Sequence, residues 1–343
     1  MYNFRNDYSE GAHPSILNKL IATNLEQQLG YGEDEYSLQA KAIIKRKINN
    51  DAAKVYFVSG GTQTNLLVIA ALLKIHEAVI SADTGHIYVH ETGAIESIGH
   101  RVITVETTNG KLTPALIQNA LNQYTLRPHV VKPKLIYISN VTEIGTIYSK
   151  QELQALYQFC KTKELFLFMD GARLGHALTA DSNDLSLADI AAMTDVFYIG
   201  GTKNGALLGE AIVFNNPDVV PEFDYVLKQK GALLAKGRIL GIQFLELFKD
   251  DLYFQLARHA NDMAGKLVAA FEENGVSFLM PPASNQIFPI LSKSIINKLS
   301  EKYLFYEWKV IDDHLSAIRL ITSWATDAHQ VEAFISDLNA CQK

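Results

Sequence analysis

The chain has 343 residues, enough for about two domains, and its 48% hydrophobic and 20% charged content excludes a wholly disordered protein. A formal charge of −6 provides no basic face for a nucleic-acid backbone, and no uncharged run approaches the ~20 residues that a membrane helix needs. Only two cysteines occur, Cys160 and Cys341, and the amino terminus lacks a basic start followed by an apolar stretch. We therefore expect a cytoplasmic protein that binds neither nucleic acid nor membrane.

From about residue 50, short apolar runs alternate with helical stretches, the order typical of an α/β fold. Continuous apolar runs predict strands that are buried on both faces, as in a parallel or mixed sheet covered by helices. The seven predicted strands are 55–59, 78–81, 101–105, 134–139, 165–170, 195–200 and 210–215. Two helix starts are marked by their sequence: Pro114 follows the capping hydroxyl of Thr113, and Ser149 with Glu152 forms a capping box.

Beyond residue 215 the pattern changes to a mixture of helices and strands. The predicted helices of this part are a long helical region at 221–274, with possible breaks at Gly231, Gly237 and Gly241, and shorter ones at 293–303 and 327–341. Its predicted strands are 276–280, 304–310 and 317–324. The fold class is therefore α/β, with a large domain, residues 1–240, built on a seven-stranded, mostly parallel sheet with helices on both faces, and a small α+β domain, residues 241–343.

A glycine-rich turn, SGGTQTN, joins the first predicted strand to a helix. Gly60 and Gly61 let the backbone turn tightly and expose amide groups at a helix amino terminus, which carries partial positive charge and suits a phosphate. The same residues also suit a plain strand-to-helix turn. Neither the Gly-Lys-Ser/Thr of a P-loop nor the G-x-G-x-x-G of a dinucleotide fold is present in this turn.

Two further strand ends carry ionisable side chains. Asp170 closes a buried apolar strand, where ligands of open α/β sheets bind, although it also suits a turn cap paired with Arg173. Lys203 lies in GGTKNG, whose glycines leave space around the amine, and a lysine in a partly dry pocket forms Schiff bases. A phosphate cradle, a carboxylate and a lysine are together what pyridoxal 5′-phosphate requires, since the lysine binds its aldehyde and the carboxylate keeps its pyridine nitrogen protonated.

With these segments in place, the chain resembles the threonine aldolase and β-eliminating lyase family of pyridoxal-phosphate enzymes, which have an aspartate-aminotransferase-like fold. The resemblance lies in SGGTQTN, ADTGHIYVHETGA, MDGARLGHA and GGTKNGALLGE, in that order, and in the segments FRNDYSEGAHP, YGEDEYS and AIRLITSW. It covers nearly the whole chain, and its motifs are specific in combination rather than singly.

The resemblance implies a role for each matching position. Lys203 is expected to form the Schiff base, Asp170 to pair with the pyridine nitrogen, and His86 to stack on the cofactor ring. The residues expected to hold the cofactor phosphate are Gly60, Gly61 and Thr62. The residues expected to hold the substrate carboxylate are Asn6, Arg319 and Arg173, the last of which also lies beside the cofactor. We assign no metal ligand.

Three positions depart from the family pattern. Asn6 stands where a serine is frequent, and Glu143, in NVTEIGT, stands where many members have a histidine that is a candidate acid–base group. An arginine near the phosphate is common in the family, and here LLAKGRILG offers Lys236 or Arg238, of which we favour Lys236. Because this cation comes from the neighbouring subunit in the family, the resemblance implies active sites shared within a homodimer or homotetramer.

These roles predict the reversible retro-aldol cleavage of a β-hydroxy-α-amino acid, with L-threonine or L-allo-threonine giving glycine and acetaldehyde. His86 is the favoured base for the β-hydroxyl proton, and Glu143 is the second candidate. β-Elimination and racemisation use the same lysine and cofactor and are the alternatives. The missing G-x-G-x-x-G disfavours a nucleotide-binding dehydrogenase, and a non-catalytic scaffold has no need of Lys203, Asp170 and the phosphate loop together.

Overall fold

The computed structural model describes residues 1–341, whose strands form one large and two smaller sheets. In chain order the strands are β1 (Tyr2–Asn3), β2 (Lys54–Val58), β3 (Glu77–Ala82), β4 (Val102–Val105), β5 (Lys132–Ser139), β6 (Phe166–Asp170), β7 (Val196–Gly200), β8 (Glu210–Phe214), β9 (Gln286–Ile287), β10 (Ile290–Ser292), β11 (Tyr303–Leu304), β12 (Tyr306–Val310) and β13 (Leu315–Ile321).

The α-helices are α1 (Pro14–Ala22), α2 (Glu35–Lys47), α3 (Gly61–Leu72), α4 (His86–Val89), α5 (Ala94–Ser97), α6 (Pro114–Leu121), α7 (Lys150–Thr162), α8 (Leu174–Leu178), α9 (Leu187–Ala192), α10 (Phe223–Gln229), α11 (Arg238–Lys249), α12 (Leu252–Glu273), α13 (Lys293–Ser300) and α14 (Ala328–Cys341). Both predicted caps are confirmed: Thr113 accepts the amide hydrogen bond of Leu116 at the start of α6, and Ser149 and Glu152 form a reciprocal capping box on α7. None of the helices within residues 1–341 is both long enough and apolar enough to cross a bilayer.

The large sheet has seven strands in the spatial order β2-β8-β7-β6-β5-β3-β4, which confirms the predicted seven-stranded, mostly parallel sheet. β8 runs antiparallel to β2 and β7, and the other neighbouring pairs are parallel. Successive residues of β3 point into different apolar cores on the two faces of the sheet. Ile80 packs on the face covered by α2, α7 and α11, and Val79 packs on the face covered by α3 and α10. Helices therefore cover both faces, and this is why the strands are continuous apolar runs.

The carboxyl-terminal part contains a second, antiparallel sheet in which β9, β10 and β12 all pair with β13. The predicted strand at 276–280 is wrong, since this segment makes only an isolated bridge from Phe278 to Pro289. The predicted helical region at 221–274 consists of three helices, α10 to α12. Gly231, with φ of +70°, and Gly237 lie in the gap between the first two, as predicted, whereas Gly241 lies inside α11 and does not break it. The domain division at residue 240 stays a prediction, and that residue lies inside α11.

The amino-terminal arm crosses to this carboxyl-terminal part. β1 pairs in parallel with β11, and Phe4 is fully buried in a third apolar core, where its ring lies 5.5 Å from that of Phe334. This anchor fixes the following residues, which include Asn6 and Asp7, above the edge of the large sheet at which the parallel strands end. The loops after β2, β3, β5, β6 and β7 meet at the same edge, where open α/β sheets bind their ligands.

Candidate active site

Lys203 lies on the loop between β7 and β8, partly buried, as the sequence predicts for a strand-end lysine. Burial and the charge of Arg173 lower the pKa of its amine below the usual value for lysine. The carboxylates of Asp7, Asp170 and Glu210 oppose this shift without cancelling it. A lowered pKa increases the fraction of neutral amine near neutral pH, and the neutral amine is the nucleophile that attacks an aldehyde.

The glycines near Lys203 are explained by backbone packing, which differs from the predicted reason that they leave space around the amine. A Cβ atom added at Gly200 would lie 2.4 Å from the carbonyl oxygen of Ala172, because β7 and the chain after β6 approach closely there. Gly205 has φ of +93°, a conformation that favours glycine. The loop therefore presents Lys203 from a backbone in which glycine is required by contact and by dihedral angle.

Asp170 is the last residue of β6 and is only 4% exposed. Its carboxylate accepts hydrogen bonds from the hydroxyls of Tyr137 and Tyr198, each at 2.5 Å, and from the backbone N–H of Ala172 at 2.9 Å. Burial alone would raise the pKa of Asp170, but the charge of His86 and these hydrogen bonds hold it below its usual value. The site thus contains a buried carboxylate that stays ionised, which suits a protonated ring nitrogen.

The turn after β2 leads into α3 through Gly60, Gly61 and Thr62. No side chain caps the amino terminus of this helix, and a Cβ added at Gly60 would meet nothing within 4 Å. The hydroxyl of Tyr198 lies 3.1 Å from the position of a Cβ on Gly61, so the turn borders directly on the Tyr198–Asp170 pair. The amide groups of the first helical turn are therefore open to an anion, and the binding of a phosphate by this turn stays a prediction.

His86 begins α4, in the loop that follows β3, and two carboxylates hold it. Its ring Nδ1 lies 2.9 Å from Oε1 of Glu91, a buried side chain that also accepts a hydrogen bond from Nδ2 of Asn65 at 2.7 Å. Its backbone N–H donates to Oε1 of Glu143 at 2.9 Å. If Nδ1 donates its hydrogen to this carboxylate oxygen, Nε2 is the ring nitrogen that is left to accept a proton.

Glu143 lies in the loop after β5, beside His86. Its Oε1 also accepts the hydroxyl hydrogen of Ser139 at 2.7 Å. Burial raises the pKa of Glu143 and the charge of Asp170 raises it further, whereas the hydrogen bond from Ser139 lowers it. One oxygen of this carboxylate therefore holds the backbone of His86, and the acid–base role of Glu143 stays a prediction.

Arg173 pairs with Asp7 and not with Asp170, which the sequence had offered as its partner in a turn cap. Nε and Nη2 of Arg173 donate to the two carboxylate oxygens of Asp7 at 2.7 and 3.0 Å. Nδ2 of Asn285 donates a third hydrogen bond to the carboxylate of Asp7, at 3.0 Å. Burial would raise the pKa of Asp7, but the charges of Arg173 and Lys203 lower it to about 2. A buried, bidentate ion pair thus fixes the guanidinium beside Lys203.

Arg319 projects from β13 and stacks on aromatic rings. Its Cζ lies 5.2 Å from the ring centre of Tyr306 and 4.7 Å from that of Trp308. Its buried Nε has no hydrogen-bond partner within residues 1–341, and its Nη2 makes a long bond of 3.5 Å to the carbonyl of Arg5. A guanidinium this poorly satisfied by the protein suits an anionic ligand.

Asn6 follows Arg5 and is engaged through its side-chain oxygen. This oxygen accepts hydrogen bonds from the N–H of Tyr8 at 3.0 Å and from the hydroxyl of Ser9 at 2.9 Å. The orientation leaves the amide nitrogen of Asn6 as the group that can donate to a ligand carboxylate.

The two candidate cations ahead of α11 differ in their surroundings. Arg238 donates to the backbone carbonyls of Glu26 at 2.6 Å and Asn24 at 3.0 Å, so it is already bound to its own chain. Lys236 is exposed. An exposed amine is compatible with the predicted contact of Lys236 with a phosphate, which stays a prediction.

Sequence reasoning missed the residues that hold the site together. They are Asp7, Asn65, Glu91, Tyr137, Tyr198, Glu210, Tyr306 and Trp308. Asp7 directly follows Asn6, and Glu91 lies within the motif ADTGHIYVHETGA. The positions of these two residues beside predicted site residues are therefore the signal that could have identified them. Tyr137 and Tyr198 lie inside apolar strand runs, where an aromatic residue indicates core packing rather than a hydrogen bond to a carboxylate.

The donor set fits pyridoxal 5′-phosphate: an ionised, buried carboxylate, a lysine of lowered pKa and an open helix terminus lie at one edge of the sheet. A solved structure of a Thermus thermophilus aspartate aminotransferase mutant matches 99% of this chain and 91% of its own at a TM-score of 0.71 and 13% identity, which shows the fold. Fold and site together define an enzyme of the aspartate-aminotransferase-like class, whose cofactor is pyridoxal phosphate.

The comparisons narrow this class to one family. The model of the beta-eliminating lyase family matches residues 3–294. A Pseudomonas aeruginosa protein named low specificity L-threonine aldolase is 34% identical over 98% of this chain and 96% of its own. A structure of Leishmania major threonine aldolase matches all of both chains at 46% identity and a TM-score of 0.98. The chain therefore belongs to the beta-eliminating lyase family and is a pyridoxal-phosphate-dependent lyase.

Proposed function

We propose that this chain is an aldolase that reversibly cleaves L-threonine and L-allo-threonine to glycine and acetaldehyde. The observation that carries the substrate assignment is the near-full-length similarity to proteins named threonine aldolase, at 34% identity for the P. aeruginosa relative and 46% for the L. major structure. The arrangement of charges in the site supports the same reaction, since it provides cations for a carboxylate and a base for a hydroxyl proton.

When bound, pyridoxal phosphate supplies an electron-accepting ring that takes up the negative charge left on the substrate by bond cleavage. Lys203 would hold its aldehyde, Asp170 its ring nitrogen and His86 one face of its ring. The turn at Gly60, Gly61 and Thr62 would hold the phosphate. The hydroxyl hydrogen bonds of Tyr137 and Tyr198 favour the ionised form of Asp170, whose negative charge would stabilise a proton on the ring nitrogen.

The substrate carboxylate is held by two guanidinium groups and one amide. Arg319 has no carboxylate bonded to its guanidinium in residues 1–341, so a substrate supplies the missing anion. Arg173 keeps its fixed orientation through Asp7 and offers its remaining Nη1 edge. The amide nitrogen of Asn6 adds a third donor. Fixing the carboxylate sets the orientation of the bond between Cα and Cβ, which decides the bond that is cleaved.

His86 is the base that removes the β-hydroxyl proton. Glu91 directs Nδ1 away from the substrate and leaves Nε2 as the proton acceptor, while Glu143 fixes the backbone at the same residue. Glu143 is the second candidate, because its raised pKa lets it bind a proton closer to neutral pH than an ordinary glutamate. Two hydrogen-bond donors already occupy its Oε1, which is the reason that we rank it second.

We propose that the enzyme works in the cytoplasm as a homodimer or homotetramer with shared active sites. Lys236 of one protomer would complete the phosphate site of its neighbour. Apolar side chains near the start of the chain support a second copy at this surface, with Ile21 75%, Leu25 93% and Leu29 72% exposed. Arg238 binds the carbonyls of this same segment, so the exposed side chains and Lys236 belong to one region.

A substrate panel on the purified enzyme with added cofactor tests the reaction. Acetaldehyde and glycine in equal amounts from L-allo-threonine and L-threonine, with no pyruvate from L-serine or L-tyrosine, are the expected products. Pyruvate from serine or tyrosine without acetaldehyde from either threonine isomer would show a β-eliminating lyase instead. Conversion of an L-amino acid into its D-isomer without cleavage would show a racemase.

A further inference from the structure

The side chain of Arg319 is enclosed by two aromatic rings that come from a single neighbouring strand. Tyr306 on β12 lies directly opposite Arg319 on β13, with its ring centre 5.2 Å from Cζ. Trp308 is the extra residue of a β-bulge. Glu307 pairs with Ile318 and Lys309 pairs with the adjacent Ala317, which leaves Trp308 without a strand partner.

A bulge redirects a side chain, and bulges are frequent beside active sites. Here the indole of Trp308 lies over the guanidinium, with its ring centre 4.7 Å from Cζ of Arg319. Behind the indole, the ring of Phe288 makes an edge contact at 5.4 Å. Phe288 in turn packs against Gly145, where an added Cβ would lie 3.2 Å from its ring. The indole therefore lies between Arg319 and Phe288, and Phe288 separates it from the loop that carries Glu143.

We propose that Trp308 is a positioning residue that holds Arg319 ready for the carboxylate of the amino-acid substrate. The inference rests on the proposed role of Arg319 in substrate binding. Stacking uses the faces of the guanidinium and leaves its in-plane N–H groups for a ligand. Arg319 lacks a carboxylate partner that would otherwise fix it, so without the indole its long side chain loses its fixed orientation, and substrate binding must then order it.

The test is a double-mutant cycle on the holoenzyme that compares Trp308→Leu, Arg319→Gln and the combined variant. Binding of glycine is measured by the change in the visible spectrum of the bound cofactor, and methylamine serves as an amine without a carboxylate. We expect Trp308→Leu to weaken glycine about tenfold, to leave methylamine unchanged, and to raise KM for L-allo-threonine with little change in kcat. In the Arg319→Gln background the same substitution should have no further effect on glycine.

Two further variants separate positioning from general damage. Trp308→Phe keeps an aromatic face and should retain most of the glycine affinity. Phe166→Leu removes a similar cation–π contact, in which Nζ of Lys134 lies 5.2 Å from the ring centre of Phe166. This contact lies at the opposite end of the large sheet, so the substitution should change the affinity for neither glycine nor methylamine. Equal weakening of glycine and methylamine, or additive effects of the Trp308 and Arg319 substitutions, would overturn the proposal. Glycine binding requires no turnover, so the glycine affinities of the variants still test the role of Trp308 if the proposed aldolase reaction is not observed.

Discussion

The buried pair of Asp7 and Arg173 allows a quantitative prediction for the variant Asp7→Asn. Asp7 has no exposed side-chain surface and that of Arg173 is 13% exposed, with contacts of 2.7 and 3.0 Å between them. Asparagine has nearly the same shape and keeps a hydrogen-bond acceptor, but it removes the negative charge. The substitution therefore leaves a buried guanidinium without its counter-ion.

The expected loss of stability follows from this geometry. Two unit charges about 4 Å apart interact by about 4 kcal/mol at an effective dielectric constant of about 20, and breaking a buried pair by removing one partner costs about 3–5 kcal/mol. At about 2.1 cal/mol/K per residue, a chain of 343 residues has an unfolding entropy of about 0.7 kcal/mol/K. The melting midpoint of Asp7→Asn should thus fall by about 4–7 °C at pH 7.

Thermal unfolding of the apoenzyme, followed by circular dichroism, measures this difference. Asp181→Asn is the matched control, because Asp181 is fully exposed in its 4.0 Å pair with Arg258 and should contribute little. The pKa of Asp7 is about 2, below its usual 3.8, so its stabilisation is complete above about pH 4 and is lost as the pH falls toward 2. A midpoint equal to that of Asp181→Asn, or a difference from the wild type that grows on acidification, would refute the reasoning.

Two further predictions concern the proton acceptor and the phosphate cation. His86→Asn should lower kcat by about a hundredfold or more. Glu143→Gln keeps an acceptor for the backbone N–H of His86 and should lower kcat by less than about tenfold. A larger loss of kcat in Glu143→Gln than in His86→Asn, measured across the pH–rate profile, would assign the base to Glu143. Lys236→Ala should weaken cofactor binding about tenfold in spectroscopic titrations, and Arg238→Ala should affect it less, because its guanidinium already binds backbone carbonyls. Weaker cofactor binding in Arg238→Ala alone would assign the phosphate contact to Arg238.

The parts of the site that could be predicted from the sequence are those set by local pattern. Asp170 ends a continuous apolar strand and Lys203 follows another, and parallel strands bring their carboxyl ends to one edge of a sheet. The turn at Gly60 and Gly61 has no capping side chain, which indicates a helix terminus with free amide groups. These signals need no knowledge of distant contacts, so they were visible along the chain.

The parts that could not be predicted depend on contacts between distant segments. Asp7 meets Arg173 because β1 and Phe4 anchor the amino-terminal arm on the carboxyl-terminal part, and no pattern near either residue encodes this docking. Trp308 reaches Arg319 through a bulge that exists only in the pairing of β12 with β13. The strands β9 and β10 have two and three residues, too few for a period to show, whereas the apolar run at 276–280 predicts a strand that the structure does not contain.

Reductive trapping of the lysine tests the central proposal most directly. The full chain is loaded with pyridoxal phosphate, reduced with borohydride, digested and analysed by mass spectrometry. The modified peptide should carry the reduced cofactor on Lys203, and Lys203→Ala should show neither this peptide nor the reducible visible band. A colourless protein at excess cofactor, or a trapped cofactor on another lysine with Lys203→Ala still reducible, would contradict the assignment on which the proposed reaction depends.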